Sequence, residues 1–73
     1  MSAKGAFMAR GMIRWYNQEK GFGFIIPDGG GKDMYVQSSN IETPNHELAD
    51  FQRVEFETTV GRKGPEAIHV RAV

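Results

Sequence analysis

The sequence contains no cysteine, and this absence excludes disulfide bonds, thiolate metal ligands and cysteine nucleophiles. It also lacks any run of about 18 or more apolar residues, so no helix is expected to span a membrane. Residues 1–10 are small or polar for most of their length and do not contain the apolar core of a signal peptide. We therefore expect a soluble, cytoplasmic protein.

No charge sign is in excess, because nine basic residues balance nine acidic ones. A net charge of zero argues against a protein held on nucleic acid mainly by bulk attraction to phosphates. The distribution is nevertheless uneven. Residues 1–35 carry five basic and three acidic side chains, whereas residues 36–73 carry four basic and six acidic ones. A neutral total is therefore compatible with one positive face on the N-terminal half.

The 73 residues suffice for one small domain, and nine glycines and three prolines favour turns over long helices. A polar loop is expected over residues 38–51, with one short helical turn near residues 39–41. Five segments have the composition or alternation of β-strands: residues 7–16, 22–26, 34–37, 53–58 and 67–71. In the fourth, Val54 and Phe56 are expected to face inward. The pattern predicts a small all-β barrel.

The second and third predicted strands pose a choice between two faces. Phe22 and Phe24 share one face, and Ile25 lies on the other. Either the phenylalanines fill the core, or Ile25 does so and the rings stand on the surface. The second assignment places Met34 and Val36 inside and leaves outside the residues Phe22, Phe24, Tyr35 and Gln37. An exposed aromatic stripe usually marks a binding surface, so the second assignment predicts one here.

Basic residues are interleaved with these aromatic residues. Arg14 precedes Trp15 and Tyr16, and Lys20 lies two positions before Phe22. Flat rings accept unpaired bases at about 1–3 kcal/mol each, while lysine and arginine contact phosphates. This combination suits single-stranded nucleic acid, and stacking explains how a neutral protein binds a polyanion.

Four segments together resemble the bacterial cold-shock domain family: GMIRWYN at residues 11–17, KGFGFI at 20–25, MYVQ at 34–37 and KGP at 63–65. The glycine-rich second segment is similar to the first ribonucleoprotein motif of that family, and the third occupies the place of the second motif. The resemblance covers residues 11–73, with one residue deleted in the loop around 43–47. Residues 1–10 are then a leader and the start of the first strand.

The resemblance implies a five-stranded antiparallel barrel of the OB type that binds single-stranded RNA and DNA. The family melts RNA secondary structure as a chaperone or regulates transcription or translation, and no cofactor is implied. Carried over position by position, the stacking rings are Trp15, Tyr16, Phe22, Phe24 and Tyr35. Phosphate contacts are assigned to Arg14, Lys20 and Lys63, and hydrogen bonds to base edges to Asn17 and Asp33.

The sequence departs from the family pattern at several positions. Gln37 and Ser38 replace a histidine and an aromatic residue, although Gln37 retains the capacity to hydrogen-bond a base. The loop aromatic expected near residues 45–46 is missing, unless His46 takes its place. Phe51 stands where the family usually has a glycine before the fourth strand. We therefore expect a weaker or differently selective binder than a typical member.

Other classes of function find less support in the sequence. His46 and His69 do not have metal-ligand spacing, no nucleophile motif is present, and the Gly29–Gly31 run lacks the phosphate-loop pattern. We therefore expect neither an enzyme nor a metal site. The alternative is a small β-barrel that binds a protein partner and has lost much of its nucleic-acid affinity. The loop at residues 38–51 also suggests a homodimer formed by strand exchange.

Overall fold

Five β-strands account for most of the chain in the computed structural model, which describes residues 8–62 and 64–73. Within these residues the strands are β1 (Ala9–Asn17), β2 (Phe22–Pro27), β3 (Met34–Gln37), β4 (Arg53–Gly61) and β5 (Gly64–Ala72). All five predicted strands are present. The last two extend further toward each other than predicted, because the backbone pairs as far as Gly61 and Gly64 at the hairpin end.

The strands close into a barrel in the order β1-β2-β3-β5-β4, which confirms the predicted five-stranded barrel. Four of the neighbouring pairs are antiparallel. The pair of β3 and β5 is parallel, with Tyr35 opposite Glu66 and Val36 opposite Ala67. Parallel neighbours need a long connection. Here the loop after β3 and the whole of β4 supply it, and the parallel pair leaves the described sheet without an open edge.

The core lies inside this barrel and draws on every strand. Ile13, Ile25, Val36, Val54 and Phe56 are all fully buried. The inward direction of Val54 and Phe56 is as predicted, and so is the burial of Ile25 and Val36. The remaining buried hydrophobic residues are Met34, Ile41, Leu48, Ala67 and Val70.

The connection between β3 and β4 is anchored to the barrel at two apolar residues. Ile41 and Leu48 are buried, and the Glu42 N–H donates to the carbonyl oxygen of Val70 at 2.7 Å. Single 3₁₀ turns occur at Ser38–Asn40, beside the predicted helical turn, and at Pro44–His46. Among the described residues no helix has the length and apolar character required to cross a membrane.

Candidate nucleic-acid interface

A β-bulge at Arg14 determines which side chains of β1 face solvent. Ile13 pairs with Ile25, whereas Trp15 pairs with Phe24, so Arg14 is the extra residue between them. Regular alternation would place Trp15 on the inner face with Ile13. Because a bulge inserts one unpaired residue, it reverses the faces beyond it. Trp15 therefore points outward, and the alternation of the sequence alone does not reveal this.

The outward side chains of β1, β2 and β3 are aligned in two rows. The pairing across the three strands joins Trp15 with Phe24 and Tyr35, and Asn17 with Phe22 and Gln37. Residues two apart on a strand are separated by about 6.6 Å, so the rows lie about that distance apart. We call these six residues the aromatic face. All six were singled out from the sequence as contacts with nucleic acid.

The four rings of the aromatic face touch one another. The ring centroids of Trp15 lie 5.5 Å from those of both Phe22 and Phe24. Tyr35 lies 5.9 Å from Phe22 and 5.8 Å from Phe24. Most contacts are edge-on, an arrangement that rings favour over direct stacking on each other. Trp15 is 38% exposed, and the other three are half-buried, so the cluster is supported from within and open to solvent.

Tyr16 lies on the opposite side of the sheet from these rings. It pairs with Gly23, whose neighbours on the same face are the core residues Ile25 and Val36. Its ring packs against the core, and its hydroxyl is buried without a hydrogen-bond partner at bonding geometry among the described residues. Burial raises the pKa of Tyr16. The structure therefore does not bring Tyr16 into the aromatic face, where the sequence had placed it.

Gly23 is a residue of the site whose importance the sequence did not reveal. A Cβ atom there would collide with the backbone oxygen of Trp15 and lie 2.8 Å from the Tyr16 Cα. The absence of a side chain allows β1 and β2 to approach beside the bulge. The signal available in the sequence was a glycine between two phenylalanines inside a predicted strand, a position where glycine often marks a close approach of backbones.

Two of the predicted contact residues are paired with each other. The Arg14 guanidinium donates to Asp33 through Nε at 2.6 Å and through Nη2 at 3.3 Å. This hydrogen bond raises the pKa of Arg14. Both side chains remain partly exposed, so the pair lies at the surface beside the aromatic face. Asp33 therefore orients the guanidinium and partly cancels its charge.

The turn between β1 and β2 is stabilised by a side chain of the aromatic face. The Asn17 carboxamide oxygen accepts from the Lys20 N–H at 2.8 Å, and the Gly21 N–H donates to the Asn17 carbonyl at 2.7 Å. The Lys20 side chain is exposed and makes no ion pair with a described residue. Asn17 thus has a structural partner already, whereas Lys20 is available to a phosphate.

The remaining predicted contacts divide between the face and the loops. Gln37 is exposed and donates from Nε2 to the Tyr35 hydroxyl at 3.2 Å. The His46 ring is hydrogen-bonded through Nδ1 to the Ile41 carbonyl at 2.7 Å, which directs it back onto its own loop. Ser38 is half-buried, and its N–H donates to the Gly21 carbonyl at 2.8 Å. Lys63 lies outside the described residues.

Several other charged side chains of the described chain are paired with one another. Arg10 contacts Glu55, and Arg53 contacts Asp28. Glu42, in the connection between β3 and β4, contacts two residues of β5: its Oε2 lies 2.9 Å from His69 Nδ1, and its Oε1 lies 3.9 Å from Arg71 Nε. These carboxylates compensate Arg10, Arg53 and Arg71, whereas Lys32 and Arg62 are exposed and make no ion pair with a described residue. Of the predicted phosphate contacts, the structure describes Lys20 and the partly compensated Arg14. Residues 8–62 and 64–73 contain no cluster of side chains suited to a metal ion.

A family model and two related proteins match this chain over nearly its whole length. The family model described as the 'Cold-shock' DNA-binding domain matches residues 9–73. Cold shock-like protein CspE of Escherichia coli (strain K12) is 51% identical over 65 residues, which are 88% of this chain and 94% of that protein. Cold shock protein ScoF of Streptomyces coelicolor is 48% identical over 64 residues, or 86% of this chain and 96% of that one.

A solved structure, titled drosophila Unr CSD456, is similar in fold. It superimposes with a TM-score of 0.80 over 94% of this chain, at 19% sequence identity. The match spans 28% of that longer chain. At this identity the likeness supports the barrel architecture alone.

Proposed function

Because the chain belongs to the family described as the 'Cold-shock' DNA-binding domain, we propose that it binds single-stranded RNA and DNA by stacking bases on the aromatic face. The observation that carries the proposal is the pair of rows across β1, β2 and β3. Three rings of one row and one ring of the next are in mutual contact and open to solvent. Rings on adjacent strands are a suitable platform for unpaired bases, each worth about 1–3 kcal/mol.

The charge around the face supports stacking as the main source of affinity. Lys20 is exposed and makes no ion pair with a described residue, whereas Arg14 forms an ion pair with Asp33. Lys63 is carried over only from the resemblance. For single strands each neutralised phosphate contributes a slope of about −0.7 to the plot of log K against log salt. With one to three such contacts, affinity should depend on salt only shallowly.

A role in unfolding RNA structure follows from this mode of binding. Stacking tolerates any base, since every base has a π face. A protein that binds only unpaired segments lowers the free energy of the open form and so shifts a hairpin toward the single strand. We infer an RNA chaperone, or a regulator of transcription or translation that acts through the same change.

Gln37 and Ser38 are the reason to expect weaker binding than in a typical family member. Where the resemblance places a histidine and an aromatic side chain, this chain has an exposed amide and a half-buried hydroxyl. The stacking surface is shorter by two rings as a result. Affinity for oligo-dT or oligo-U below that of a typical family member under the same salt is the expected result, and equal affinity would contradict it.

The proposal is tested by titrating Trp15 fluorescence with a short single-stranded oligopyrimidine at low and at moderate salt. Trp15 is the single tryptophan of the chain, so the signal reports one position. Saturable quenching that weakens with salt and strengthens with oligonucleotide length supports the proposal. Absence of quenching at micromolar protein and excess oligonucleotide would overturn it and favour the protein-partner alternative.

A further inference from the structure

Phe51 combines two properties that a phenylalanine in a well-packed fold rarely shows. Its side chain is 71% exposed, and its backbone has a φ of 66°. A non-glycine residue in this left-handed region crowds its Cβ against the following carbonyl oxygen, which makes the conformation unfavourable. Such conformations persist where surrounding structure holds them, and they occur preferentially at functional sites.

Hydrogen bonds to β1 hold the backbone at this position. The Phe51 N–H donates to the Ile13 carbonyl oxygen at 2.8 Å, and the Ile13 N–H donates to the Gln52 carbonyl oxygen at 2.9 Å. The segment therefore lies beside β1 on the side away from β2, at about one strand spacing of 4.8 Å. Its bonding partner, the peptide between Ile13 and Arg14, is at the bulge and one residue from Trp15.

The Phe51 backbone thus lies beside the bulge of β1, next to the end of the row that contains Trp15. Across the barrel surface the order is Phe51, the bulge of β1 with Trp15, then Phe24 on β2 and Tyr35 on β3. Because the ring is exposed, it lies on the solvent side of β1, as Trp15 does. The preceding residue, Asp50, is exposed and has no ion pair with a described residue. A carboxylate there disfavours a phosphate but not a neutral base.

We propose that Phe51 is an additional stacking site for one base of a bound single strand, next to the base on Trp15. The inference rests on the proposed function and extends it. The bound strand does not end at Trp15 but continues over β1 to Phe51. Because the Phe51 backbone lies beside the bulge that precedes Trp15, the expected occupant is the nucleic acid strand bound on the aromatic face. Glycine at this position would relieve the unfavourable backbone conformation, but it would also remove the ring that stacks the base.

The test compares wild type with Phe51→Gly and Phe51→Asn on oligo-dT of about four and about eight nucleotides. Both variants remove the ring and tolerate a positive φ. Affinity for the longer oligonucleotide should fall by about fivefold or more, while affinity for the shorter one changes less. The melting temperature of Phe51→Gly should rise by a few degrees as the unfavourable conformation is relieved. Weaker binding by a more stable protein excludes damage to the fold as the cause.

Val60→Ser is the matched control, because Val60 is another exposed apolar side chain, 86% accessible, on the β4–β5 hairpin. It should leave both affinities unchanged. A direct readout uses Trp15→Phe/Phe51→Trp, in which the relocated indole should be quenched by the long oligonucleotide. Unchanged affinity of Phe51→Gly and Phe51→Asn within about twofold, with Trp15→Ala still impaired, overturns this inference and leaves the proposed function standing. Failure of wild type to bind any oligonucleotide overturns both.

Discussion

Trp15 lies directly across from Phe24 on the neighbouring strand, with ring centroids 5.5 Å apart, although Ile13 two residues earlier points into the core. The bulge at Arg14 separates these two directions. One inserted residue therefore converts a strand that would bury its indole into one that presents it beside Phe22 and Phe24. The composition of the aromatic face depends on this local irregularity of the backbone as much as on the aromatic residues themselves.

Gly23→Ala should destabilise the barrel at the bulge, because the new methyl group would collide with the Trp15 backbone oxygen and crowd Tyr16. Backbone atoms cannot move aside as a flexible side chain does, so we expect a loss of about 2 kcal/mol or more in the free energy of unfolding. Chemical denaturation measures it. Gly29→Ala is the matched control, since a Cβ there meets nothing within 4 Å, and its stability should be unchanged or slightly higher. Equal stability of the two variants would refute this account of Gly23.

Tyr16→Leu, which removes the ring, should leave the nucleic-acid affinity of the folded protein unchanged, whereas Trp15→Ala should weaken it by about 1–3 kcal/mol. The two residues are adjacent in sequence, but Tyr16 lies on the core side of β1. Its hydroxyl is buried, lies outside bonding geometry with any described residue and interacts with Ser38, so the loss of the hydroxyl alone in Tyr16→Phe should change the free energy of unfolding by about 1 kcal/mol or less. Fluorescence titration and thermal melting of the variants provide the comparison. A clear loss of affinity in Tyr16→Leu that remains folded would return Tyr16 to the binding surface.

The sequence predicts the barrel well because strand patterns and turn residues are local properties. Ile25 and Val36 are buried as the two-residue repeat of their strands predicts. Local patterns do not predict which strands pair with β3. Its parallel pairing with β5 depends on how the intervening loop and β4 wrap around the core, which no local pattern encodes.

The candidate site is predictable to the extent that its strands are regular. Phe22 and Phe24 lie on a regular strand, and their shared face follows from their spacing. The resemblance assigns Tyr16 to the stacking rings, whereas the structure places it on the core side of β1. The bulge at Arg14, which determines this direction, leaves no mark in the alternation of polar and apolar residues. Likewise, the sequence identifies Phe51 as unusual, but its exposure and its bonds to β1 become visible only in three dimensions.

Asp33→Asn should make binding more dependent on salt. In the wild type Asp33 accepts two hydrogen bonds from Arg14 and partly compensates its charge. Release of this guanidinium adds one phosphate contact, so the plot of log K against log salt should steepen by about 0.7. Titrations over a range of salt concentrations give the slope.

Asp28→Asn is the control for Asp33→Asn. It frees Arg53 in the same manner, but Asp28 follows the end of β2 that pairs with Gly11, four residues from Trp15. Its slope should equal that of wild type. Affinity of Asp33→Asn below wild type at every salt concentration would contradict this expectation and would mean that Asp33 assists binding, either through a base or by orienting Arg14.

His69 should make the stability of the barrel fall between about pH 6 and pH 8. Its Nδ1–H donates to the Glu42 carboxylate at 2.9 Å, and this hydrogen bond, together with the charge of Glu57, raises the pKa of His69. A group whose pKa is higher in the folded than in the unfolded state stabilises the fold below its unfolded value of about 6.5. That contribution disappears as the pH rises through the folded pKa, so the melting temperature should be higher at pH 6 than at pH 8.

His69→Asn separates this effect from those of the other titrating groups. His69 has a φ of 51°, a conformation that asparagine tolerates better than most residues, so the backbone of β5 should be kept. The decrease in melting temperature from pH 6 to pH 8 should be smaller in His69→Asn than in wild type, and smaller in Glu42→Gln as well, because either change removes the ion pair. A decrease of the same size in all three proteins would mean that the pair with Glu42 does not contribute, and that the raised pKa has no consequence for folding.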